Sequence, residues 1–132
     1  MKVSKTHMVT MRSPLGRVRG LGSAKSGTAH WWAQRLTAIA LVPLAIWFVF
    51  AVLAHLGAPR EAVAHWMGRP INAVLLLALS IALFHHLHLG LQVVIEDYIH
   101  TEAARLAVLL AMRAVVALLF LTALIAILRM AL

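Results

Sequence analysis

What most limits the folds open to this chain is a long apolar stretch, met three times and twice without any formal charge. Between Arg35 and Arg60 no residue carries a charge, and none does from Pro70 to Ile95. From Leu106 to Leu128 only Arg113 interrupts the run. A helix rises about 1.5 Å per residue, so about 20 apolar residues cross the hydrocarbon of a bilayer. Each run is long enough. Inside lipid every backbone N–H and C=O must be paired within the segment, and for runs of this length only the helix does that. The expected fold is all-α: an integral membrane protein with three transmembrane helices over residues 36–56, 71–95 and 106–128.

Composition agrees. Of the 132 residues 63% are hydrophobic and 12% charged, about half the charged share of a soluble domain. So little polar surface cannot cover a soluble fold of this size. The net charge of +8 suggests nucleic acid only until its distribution is considered. Lys2, Lys5, Arg12, Arg17, Arg19 and Lys25 all precede the first apolar run, the basic flank of the positive-inside rule. No RNA-binding or helix-turn-helix pattern accompanies them, so no nucleic-acid partner is expected. Cysteine is absent. That excludes disulfides, thiolate-held zinc, an iron–sulfur cluster on this chain and covalent haem attachment. Any redox group here must be held by histidine.

Two regions follow: a basic cytoplasmic arm and loop over residues 1–30, and a membrane domain over residues 31–132. The first apolar run is too long and starts too late for a cleaved signal peptide. Trp31 and Trp32 stand where an aromatic belt belongs. Pro43 predicts a mild kink in the first span. Gly57–Arg69 reads as a short polar loop, and Pro70 suits the first turn of the next helix. Thr101 and Glu102 read as an N-cap with an acid in the first turn. Three spans put the termini on opposite sides. The cation bias places the N-terminus and the loop after the second span in the cytoplasm, and the C-terminus in the periplasm.

Inside the second run stands Phe84-His85-His86-Leu87-His88. Polar groups at this depth are costly and face a partner, a cavity or a cofactor. A single imidazole is well explained by hydrogen bonds to a neighbouring helix, but three within four positions point to a metal or haem ligand. At about 100° per residue, His86, Gly90, Val93 and Asp97 share one stripe, and Gly90 would leave room for a flat macrocycle. His85 and His88 fall off that stripe. His30 and His55 lie at the ends of the first helix, and the third has no histidine. A second axial ligand would therefore come from another chain, making this one part of a heteromeric helix bundle. Asp97-Tyr98 closes the second helix, either as an interfacial anchor or as part of a site. Arg35, at the same membrane face, either reaches the headgroups or holds an anion such as a haem propionate.

The run His86-x3-Gly90-x6-Asp97-Tyr98 resembles the signature of the cytochrome b556-type D subunit, the smaller hydrophobic anchor of bacterial succinate dehydrogenase (complex II). Gly20-Leu-Gly-Ser-Ala-Lys-Ser-Gly27 through His30-Trp-Trp-Ala-Gln-Arg35-Leu-Thr37 is similar to the alphaproteobacterial entry into helix 1, and Gly68-Arg69-Pro70 fits as well. The resemblance implies an inner-membrane subunit that binds haem b together with a second cytochrome b-type anchor subunit. Ubiquinone would bind near the cytoplasmic face. A flavoprotein subunit and an iron–sulfur subunit would dock outside the bilayer. By that pattern His86 is an axial ligand to the haem iron and Tyr98 hydrogen-bonds ubiquinone. Asp97 supports the quinone site, and Arg35 lies near a propionate or the quinone pocket. The chain alone would turn over nothing. A fumarate reductase anchor and a non-redox membrane accessory subunit are the competing expectations.

Overall fold

A computed structural model describes residues 13–19 and 27–132. Lys2, Lys5, Arg12 and Lys25 of the expected arm lie outside the described residues, as do Gly20 and Gly22. Five helices follow one another: α1 (Pro14–Val18), α2 (Gly27–Ala54), α3 (Arg60–Met67), α4 (Pro70–Tyr98) and α5 (Glu102–Ala131). Among the described residues there is no strand. α1 is one short turn within the expected arm, started by the Gly16 N–H donating to Ser13 Oγ at 3.1 Å.

The three long helices have 28, 29 and 30 residues and the apolarity to cross a membrane. At about 1.5 Å per residue each exceeds the roughly 30 Å of hydrocarbon, so their ends reach into the headgroup layers. α2 starts at Gly27, well before the expected span at Leu36. Hydropathy marks what lies in lipid, whereas helical hydrogen bonding begins wherever the backbone allows. His30, Trp31, Trp32 and Arg35 therefore belong to the opening turns of a helix. α2 runs unbroken through Pro43. Proline costs a spanning helix one backbone donor and does not end it. Thr101 stands at the N-cap of α5, but its hydroxyl makes no capping bond. Glu102 supplies the acid and meets Arg105 at 4.0 Å, an exposed pair that contributes little.

The segment expected as a loop after the first span contains α3 instead. Pro59 is extended (φ −65°, ψ 152°), and Glu61 suits the positive end of the helix dipole. Val63, Trp66 and Met67 recur at helical spacing, while Arg60, Glu61 and His65 are exposed. Trp66 stacks on Trp47 of α2 with ring centroids 5.8 Å apart and lies 4.8 Å from the His55 ring. Its carbonyl accepts from Asn72 Nδ2 of α4 at 2.7 Å. Gly68, which ends α3, sits so close to α5 that a Cβ there would lie 2.5 Å from the Met130 carbonyl oxygen. The short helix thus laces α2, α4 and α5 together at one end of the molecule.

α4 is the central element. It packs against α2 on one side and α5 on the other, and the backbones of α2 and α5 stay apart among the described residues. Phe84 and Phe120 meet edge-to-face across α4 and α5 at 5.7 Å. Ala73, Leu76, Ala82 and Leu89 of α4 are buried, with Val116 and Ile127 of α5, and α2 buries no residue. A row of three helices has no enclosed core. Its apolar faces are matched to lipid and to other helices.

Candidate functional site

His86 faces α2, where two polar side chains one turn apart meet its ring. Thr37 Oγ1 lies 3.0 Å from Nδ1, and Gln34 Nε2 lies 3.4 Å from Nε2. Thr37 Oγ1 is also 2.8 Å from the Ala33 carbonyl oxygen and 3.1 Å from that of Gln34. Residues three apart on a helix share a face, so Gln34 and Thr37 reach the same imidazole. Gly90 faces the same side, and a Cβ there would come within 3.7 Å of Gln34 Nε2. The room the sequence assigns to a macrocycle beside Gly90 is bordered by a flexible amide. Two buried polar atoms here, His30 Nε2 and Gln34 Oε1, have no hydrogen-bond partner among the described residues.

The other two histidines of the run point elsewhere. His85 and His88 line a groove of about 420 Å³ between α4 and α5, with Phe84, Arg113 and Phe120. His85 also borders a groove of about 400 Å³ between α2 and α4, beside Thr37, Ala40 and Ala82. The Arg35 guanidinium lies over the Trp31 ring at 5.2 Å, a cation–π contact one turn apart, and is not among the contacts of His86. Asp97 and Tyr98 end α4 in exposed positions, and neither side chain hydrogen-bonds within the described residues. Beside them Gln92 Nε2 donates to Glu96 Oε1 at 2.8 Å. His86 and Tyr98 are separated along α4 by about 18 Å.

Residues 9–120 match the family model described as succinate dehydrogenase/fumarate reductase transmembrane subunit. The chain belongs to that family. A succinate dehydrogenase hydrophobic membrane anchor subunit of Rickettsia bellii (strain RML369-C) is 35% identical to it over 102 residues, covering 77% of this chain and 82% of that one. A succinate dehydrogenase membrane anchor subunit of Reclinomonas americana is 33% identical over 94 residues, 69% of this chain and 78% of the relative. A hydrophobic membrane anchor subunit of Rickettsia conorii (strain ATCC VR-613 / Malish 7) is 28% identical over 95 residues, covering 71% and 75%. No solved structure matches the chain.

Within this transmembrane subunit no group of three or more His, Asp or Glu among the described residues could hold a metal alone. A haem shared between chains needs only one imidazole from each. The donors present fit that requirement, with one half-buried ring at the middle of an apolar helix and buried polar atoms beside it. His86 stands out in the sequence, whereas Gln34 and Thr37 have no expected role there. Their only signal in the sequence is two polar residues one turn apart on either side of Arg35, and it is the packing of α2 on α4 that gives them a partner.

Proposed function

We propose that this transmembrane subunit anchors a succinate dehydrogenase in the bacterial inner membrane, giving His86 to a haem b shared with a second anchor subunit. The setting of His86 carries the reading. Its ring is fixed from α2 through Nδ1, while Nε2 has only a long contact with a movable side chain. Haem, when bound, supplies a one-electron store within the membrane. The chain's own residues orient one axial ligand and close one side of the pocket. The named relatives support succinate rather than fumarate as the physiological substrate of the complex.

In this reading ubiquinone binds at the C-terminal end of α4. The Tyr98 phenol donates a hydrogen bond to a quinone oxygen and stabilises the negative charge that develops there on reduction. A neutral phenol does this without the desolvation cost of a carboxylate. Asp97 pairs with an arginine of a partner chain and keeps the pocket in shape. Arg35, stacked on Trp31 at the head of α2, serves the propionate or quinone side. A flavoprotein and an iron–sulfur subunit dock at this end, which the cation bias assigns to the cytoplasm.

The test is haem spectroscopy on the purified complex. His86→Leu should remove the low-spin haem spectrum, and the same change at His85 or His88 should leave most of it. A spectrum that survives His86→Leu and disappears with His88→Leu would move the ligand to the groove beside α5.

A further inference from the structure

The contacts of Thr37 define which nitrogen of His86 carries the ring proton. A threonine hydroxyl has one proton to donate. Oγ1 lies 2.8 Å and 3.1 Å from two backbone carbonyl oxygens, of Ala33 and Gln34, which can only accept. The proton therefore goes to one of them, the usual back-bond of a threonine within a helix. What remains for His86 Nδ1, 3.0 Å away, is an oxygen lone pair. Nδ1 must then be the protonated nitrogen. The other side of the ring agrees, because Gln34 Nε2 can only donate and lies 3.4 Å from Nε2. A reversed amide would set oxygen against a nitrogen lone pair.

An imidazole protonated on Nδ1 keeps its lone pair on Nε2, the form that binds a metal. We propose that Thr37 is a positioning residue for the haem ligand. It holds His86 with Nε2 ready for iron and, by accepting from Nδ1–H, raises the basicity of the ligand. A more basic ligand favours ferric over ferrous iron and lowers the reduction potential. The inference rests on the haem reading of His86 given above.

The experiment is a redox titration of haem absorbance in the purified complex, with haem content measured against flavin. Thr37→Val keeps the shape of the side chain and removes the acceptor, whereas Thr37→Ser keeps the hydroxyl. Loss of such a partner weakens metal binding by about tenfold or more, and a loss about tenfold greater for ferric than for ferrous iron is about 59 mV for one electron. The Thr37→Val potential should rise by about that amount, and the Thr37→Ser potential should stay at the wild-type value. An unshifted Thr37→Val, or a Thr37→Ser shifted as far, overturns the proposal. If Thr37→Val cannot retain haem, retention at wild-type potential by Thr37→Ser supports the hydroxyl's role, and loss in both variants overturns it. His86→Leu separates the two levels. Haem retained in that variant removes the haem reading itself. Haem lost there, with an unshifted Thr37→Val, removes only the role of Thr37.

Discussion

Tyr98 exposes 80% of its surface at the end of α4, far more than a tyrosine kept for packing within this chain would. With no partner for its hydroxyl among the described residues, the phenol is available to a neighbour or a substrate. Tyr98→Phe should lower quinone reductase activity about tenfold, a loss of about 1.4 kcal/mol of transition-state stabilisation. Succinate oxidation with an artificial acceptor at the soluble subunits, measured on the same preparation, should be spared, and haem should remain. Unchanged quinone kinetics would leave Tyr98 as an interfacial anchor. At this scale the sequence was informative about residues on one helix and silent about pairs between helices. The helical stripe separated His86 from His85 and His88, and the structure indeed turns them to different neighbours. It held nothing about Gln34 or Thr37, because periodicity orders side chains around their own axis only. Nor could it show Arg35 settled on Trp31.

Among the elements, α4 was legible nearly to its ends. Pro70 opens it, as its missing N–H and fixed φ allow, and Asp97-Tyr98 closes it. α3 was not, because eight residues with scattered charge resemble a loop until Val63, Trp66 and Met67 are seen to share a face. Its anchoring depends on Gly68, where a side chain would press on the Met130 carbonyl. Backbone cannot yield as a flexible side chain can. Gly68→Ala should therefore separate the end of α3 from α5 and destabilise the subunit by about 1–3 kcal/mol, the usual range for overpacking. Thermal release of haem from the purified complex would register this as a lower midpoint. A midpoint equal to wild type would mean that α3 and α5 are not held together in the assembled complex.

For the whole molecule, the cation bias makes a claim about sidedness that cysteine labelling can check, since the chain has no native Cys. Ala62→Cys, exposed on α3, should react with an impermeant maleimide added outside the inner membrane. Reaction only after the membrane is breached would reverse the topology. The row of three helices has a mechanical consequence as well. α2 packs along α4, and side chains fix it at two heights besides: the Trp47–Trp66 stack, and the contacts of Gln34 and Thr37 with His86. With the first as a pivot, the second would act as a latch. From Trp47 to Gln34 the lever arm is about 20 Å, so a tilt of about 3° carries Gln34 by about 1 Å. A swing that small would begin to lift the amide from Nε2.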